Sequence, residues 1–99
     1  MFVPDVAIPW FDREDYDAIR RSVHDRRWRD TYEDWLEDAQ QAARGLEAKG
    51  LTTYRAHVHS DTFAIWCKLT EREINGAALS AFANELAGKA QVRSSAGDI

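Results

Sequence analysis

The sequence predicts a small single-domain α+β protein with the element order β-α-α-β-α-α. Three observations carry that reading. Residues 32–46 place apolar groups on one helical stripe, and residues 52–59 alternate at period two. The opening stretch reads as an extended Pro-aromatic segment.

The opening Val6-Ala7-Ile8-Pro9-Trp10-Phe11 sets Val6, Ile8 and Trp10 on one face of a strand. Pro4 and Pro9 lack the N–H of a ladder residue, which makes this strand short or places it at an edge. Asp12 is a natural N-cap, and Glu14, Asp15 and Asp17 suit the positive end of a helix. Tyr16, Ile19 and Val23 then predict about three turns of helix ending near His24. Residues 24–30 show no apolar period and read as a loop.

Thr31 with Asp34 resembles a capping box that opens the second helix. Its stripe is Tyr32, Trp35, Leu36, Ala39, Ala43 and Leu46. Lys49-Gly50-Leu51 predicts a Schellman stop, with Gly50 left-handed and Leu51 folded back on Leu46. In the second strand, Tyr54, Ala56 and Val58 point one way, and Thr53, Arg55, His57 and His59 the other. Ser60 or Asp61 caps a third helix, Thr62 to about Leu69, whose nearly all-apolar surface predicts burial. Asn75 caps the last helix, with Leu79, Phe82, Ala83 and Leu86 on one face. The domain is expected over 1–90, followed by a frayed tail over 91–99.

If successive elements reverse direction, the two strands are antiparallel. A sheet of two strands is marginal alone and leaves two edges, so pairing with a second copy into four strands is expected. The expected partners are therefore a second copy of the chain, as a homodimer, and another protein.

Composition bounds the function. The 99 residues carry a net charge of −4, which argues against general nucleic-acid binding. A single cysteine, Cys67, allows no intramolecular disulfide and suits a reducing compartment. The first residues lack the basic and apolar regions of a secretory signal, and no apolar run approaches the ~20 residues that span a bilayer. A cytoplasmic protein without membrane association is the expectation.

Two clusters could carry binding. Arg20, Arg21, Arg26, Arg27 and Arg29 crowd around Trp28, a combination that can grip an anion or a nucleobase. Asp30, Glu33, Asp34, Glu37 and Asp38 follow at once, so charge balance within the chain or across a dimer is preferred over a ligand. Trp28 reads as a packing lid. The second cluster is Arg55, His57 and His59 on one strand face, with Asp61 beyond. His57-x-His59-x-Asp61 is reasonable zinc chemistry, yet it lacks a fourth ligand, and Asp61 has an alternative use as a cap. A polar sheet face or dimer seam is preferred, and no cofactor, metal or catalytic residue is expected. Cys67 reads as a small core hydrophobe rather than a nucleophile.

The segments Ile8-Pro9-Trp10-Phe11, Asp15-Tyr16, Tyr32-Glu33-Asp34-Trp35-Leu36 and Asp61-Thr62-Phe63-Ala64-Ile65-Trp66-Cys67 give a further lead. Over residues 6–87 the chain loosely resembles a group of short, uncharacterised bacterial proteins with no known activity. These are packing motifs, so the resemblance implies a soluble bacterial domain and transfers no site residue. The preferred function is a non-enzymatic protein-interaction or assembly module. The alternatives are a small metal-dependent enzyme or ligand-binding protein using His57 and His59, and an anion- or nucleotide-binding module using residues 26–29.

Overall fold

The computed structural model describes residues 4–97, with side chains described through residue 90. Six elements follow the expected order: β1 (Val6–Trp10), α1 (Arg13–Ser22), α2 (Tyr32–Ala48), β2 (Thr53–His57), α3 (Ser60–Leu69) and α4 (Gly76–Gly97). No helix among the described residues is long and apolar enough to cross a membrane. Residues 91–97, expected as a loose tail, continue α4, and residues 98–99 of that expectation lie outside the described residues.

The strands run parallel, which corrects the antiparallel expectation. Val6 lies beside Thr53, Ile8 beside Arg55 and Trp10 beside His57. Strict reversal at every element assumed that α1 and α2 form a tight hairpin. The connection over 23–31 is instead long and irregular, and Trp28 anchors it in the core, so α2 need not reverse against α1. The strands are then clamped at both ends. The Asp5 carboxylate accepts from the Thr52 amide (2.8 Å) and hydroxyl (3.1 Å). The Asp5 and Val6 amides donate back to the Thr52 carbonyl, both at 3.1 Å. At the far end the Val58 amide donates to the Trp10 carbonyl (2.8 Å). A parallel pair needs a long crossover, and residues 11–52 supply it.

Both sheet faces are covered. Phe11, fully buried, is the hub on the face carrying Trp10. Its ring lies 5.1 Å from Trp35, 5.8 Å from Trp28 and 6.4 Å from Tyr16, centroid to centroid. Trp10 meets Trp35 edge-on at 5.4 Å. Polar tips on these rings find partners, as buried Tyr and Trp require. Trp28 Nε1 donates to the Val23 carbonyl (2.8 Å), Tyr32 to the Phe11 carbonyl (3.1 Å) and Tyr16 to the Arg29 carbonyl. Across the other face lies α4, which packs on both strands, while its Phe82 ring meets Phe63 and Trp66 of α3, and α3 also packs on α1.

The caps of α2 and α4 follow sequence logic, whereas Asp12 stands at the N-cap of α1 without a side-chain cap bond. Thr31 accepts from the Asp34 amide (3.1 Å), and Asn75 from the Ala78 amide (2.8 Å). The Schellman stop forms at Gly50 (φ 87°), with Leu51 N–H on the Leu46 carbonyl and Gly50 N–H on the Glu47 carbonyl. At α3 the N-cap is His59 rather than Ser60 or Asp61, and His59 makes no side-chain cap bond. The burial expected of α3 is also corrected. Phe63 and Cys67 are buried, but Ile65 and Leu69 face solvent, 59% and 78% exposed. Two buried positions and the half-buried Trp66 suffice to seat the helix, so its remaining apolar side chains point outward.

A second Schellman geometry ends α3. The Arg72 amide donates to the Cys67 carbonyl (2.8 Å) and the Glu71 amide to that of Lys68 (3.3 Å). Glu71 holds the left-handed position at φ 55°, where a side chain costs about 1–2 kcal/mol that glycine avoids. Glu71→Gly should therefore raise stability by about 1 kcal/mol, and Tm by roughly 4–8 °C for a domain of this size. Thermal melts of the two proteins check it, and an unchanged or lower Tm refutes the strain.

Candidate functional site

The structure distributes the two sequence clusters over three places. In the arginine loop, Trp28 is half-buried among Phe11 and Tyr16 as a lid, with the Arg26 guanidinium 4.8 Å from its ring. Arg29 lies 3.4 Å from the Asp38 carboxylate and 3.9 Å from that of Asp34. One arginine thus answers the like-charge pair that α2 sets one turn apart. Arg13, at the start of α1, pairs with Glu33 in the same way. Arg27 is exposed, and Arg26 and Arg29 turn to separate partners, the Trp28 ring and the α2 carboxylates.

The histidines separate. His57 lines an apolar groove between β2 and α4, with Tyr54, Glu85, Leu86 and Lys89. Arg55, on the same strand face as His57, lays its guanidinium 4.4 Å from the Trp10 ring, a cation–π contact. His59 instead belongs to a polar cleft with Asp12, Arg13, Asp15, Ser60 and Asp61. His57 and His59 therefore do not act as one ligand pair.

The polar cleft is the most organised cluster of titratable groups, and the N-termini of α1 and α3 meet there. Asp15, in the first turn of α1, reaches across to α3. Its Oδ1 accepts from the Ser60 amide (2.9 Å), and its Oδ2 lies 3.0 Å from His59 Nδ1. The cap that α3 lacks locally is thus supplied by a residue 45 positions earlier. Burial works against ionisation of Asp15, but the Ser60 amide and the His59 ring outweigh it and hold the carboxyl below its ordinary range. The hydrogen bond to Asp15 raises the His59 pKa; partial burial opposes this, and the charges of Asp15, Asp12 and Asp61 add to it.

Asp12, Asp15 and His59 bring oxygen and nitrogen donors within 4.8 Å of one another, spacing that could hold a divalent ion. Electrostatics weighs against that use. Two helix N-termini direct their positive ends into the cleft, and Asp15 already engages both oxygens, one with the Ser60 amide and one with the His59 ring. The chemistry the cluster performs in the structure is a cross-element cap. A second such cap joins Asp25 of the arginine loop to the Gly76 amide of α4 (2.8 Å). Sequence reasoning missed both, because Asp15 was fully explained by its own helix and Asp25 by its loop.

Cys67 is buried, and burial pushes its thiol up despite the counteracting charge of Arg72, as suits a core hydrophobe. No protein-family model, curated protein or solved structure matches the chain.

The Asp15–His59 pair predicts a pH window. Asp15 is depressed on folding, so its contribution is present above its ordinary pKa, near 3.8, and is lost as pH falls through the lower folded value. His59 is raised, so its contribution is complete below about 6.5 and is lost as pH rises through the folded value. Coupling between Asp15→Ala and His59→Ala in a double-mutant cycle should peak between roughly pH 4 and 6.5. Solvent at His59 limits it to under ~1 kcal/mol. Urea unfolding at pH 5 and pH 8.5 checks this; equal coupling at both refutes the ion pair.

Proposed function

We propose that the chain is a non-enzymatic protein-interaction module that docks a partner on the outer face of α3. The observation that carries the reading is the pair Ile65 and Leu69, one turn apart and 59% and 78% exposed on a helix whose opposite face is core. Burying two such side chains contributes about 1.5–3 kcal/mol each, the scale on which a helical anchor pair holds a partner. Folding does not use them, so their exposure is left available for association. Ile74, 41% exposed in the turn that follows, extends the apolar character of this end of the molecule.

The net charge of −4 favours a partner whose contacting apolar face is flanked by basic groups. On this reading the charged clusters serve the fold. Arg29 balances α2, and Asp15 with His59 sets the angle at which α3 presents its outer face.

The test is affinity capture from the organism that encodes the chain, with wild type beside Ile65→Asp/Leu69→Asp. Both sites are solvent-exposed, so the double variant should melt within a few degrees of wild type. A protein retained by wild type and lost from the equally stable variant supports the reading. Capture that is identical for the two proteins removes it.

A further inference from the structure

We propose that the outer edge of β2 is the dimerisation surface of this protein, pairing antiparallel with β2 of a second copy into a four-stranded sheet. The backbone decides which edge is open. Val6 N–H bonds Thr52 O, and Val58 N–H bonds Trp10 O, so in this parallel ladder Val6, Ile8 and Trp10 direct their main-chain groups at β2. Ala7 and Pro9 direct theirs outward. Pro9 has no N–H, so the outer edge of β1 is blunted at its centre. On β2 the same alternation turns Tyr54 and Ala56 inward and Thr53, Arg55 and His57 outward. Those three residues form an unblocked edge, and the apolar groove containing Tyr54 and Leu86 runs beside it.

Axes at Tyr54, Arg55 and Ala56 each pair two or more residues of β2 with those of its copy, and charge favours one of the three. A two-fold axis at Arg55 sets two like-charged arginines opposite each other, and an axis at Ala56 sets Arg55 against His57, with no carboxylate beside it. Like charges directly opposite destabilise a pair. An axis at Tyr54 avoids both. It places Thr53 opposite Arg55 of the copy, each exchanging N–H and C=O, and sets the two Tyr54 rings side by side. The Thr53 hydroxyl donates to Glu47 Oε1 (3.0 Å), so Glu47 of each copy comes to Arg55 of the other. Beneath the sheet, the same axis turns the groove side of α4 against its copy in the opposite sense. Glu85 and Lys89 both line that side, so the carboxylate of each copy can meet the ammonium of the other. A single open edge and a two-fold axis also close the assembly at two copies.

Sedimentation equilibrium of the full chain, from low micromolar to near-millimolar concentration, tests this against its own 11.3 kDa mass. Wild type should fit a dimer. Arg55→Glu, which faces Glu47 of the copy, should raise the dimer Kd at least ten-fold, and Glu47→Arg/Arg55→Glu should restore it. Ile65→Asp/Leu69→Asp should leave it unchanged, since the α3 face is a separate surface. A wild type that stays monomeric throughout overturns the proposal. So does a dimer that Arg55→Glu leaves intact, or one that the α3 variant abolishes. A monomeric wild type, or a dimer that Arg55→Glu leaves intact, does not bear on the α3 docking reading, which its own capture test decides.

Discussion

The rest of the structure depends on one buried ring, Phe11, and on the aromatic groups that close over it. Phe11 directly follows β1, and its ring neighbours come from α1 (Tyr16), the connecting segment (Trp28) and α2 (Trp35). Three separate stretches of chain thus share a single point. Truncating a ring in such a place costs about 3–5 kcal/mol, a large share of the roughly 5–15 kcal/mol that holds a small domain together. This cluster also makes a parallel pair workable. It fixes the crossover between the strands, and the Asp5–Thr52 clamp then sets the register at the strand starts.

From that anchor two carboxylates reach into the second half of the chain, whose helices also pack on the sheet, on α1 and on each other. Asp15 caps α3 and Asp25 caps α4, each from a segment that Phe11 and Trp28 hold rigid. A borrowed cap does more than satisfy an orphan amide. It ties the direction of each later helix to the aromatic cluster. The face of α3 turned to solvent, with Ile65 and Leu69, is the one opposite the buried Phe63 and Cys67, and Asp15 caps the end from which that helix starts.

Much of this was legible in the sequence, for physical reasons that differ by element. The second helix was read correctly down to its caps, because Thr31, Asp34 and Gly50 act on neighbours within a few residues. The alternation over 53–58 was equally local, and Ala56 and Val58 are buried as it requires. Arg29 answers Asp34 and Asp38 as the adjacency of basic and acidic runs suggested. What failed is what a local pattern cannot encode. Strand direction turned on whether residues 23–31 form a hairpin or a long anchored crossing. The burial of α3 turned on how many of its apolar positions the core has room for. Asp15 and Asp25 each had an adequate local explanation, which hid their longer reach.

The asymmetry of the sheet carries this logic to the surface. In a sheet of only two strands, each strand is an edge, and an unmanaged edge invites open-ended pairing. This chain closes one edge with Pro9, where β1 already bonds inward through Val6, Ile8 and Trp10 and loses nothing by a missing outward donor. On the other edge Arg55 lays its guanidinium beside the Trp10 ring, and its main-chain N–H and C=O point outward. An arginine stacked in that way leaves its own N–H and C=O uncovered, whereas an extended, mobile one would screen them. The same contact therefore seals the top of Trp10 and keeps the β2 edge accessible, tying the outer strand of the sheet to the aromatic cluster on which the fold is built.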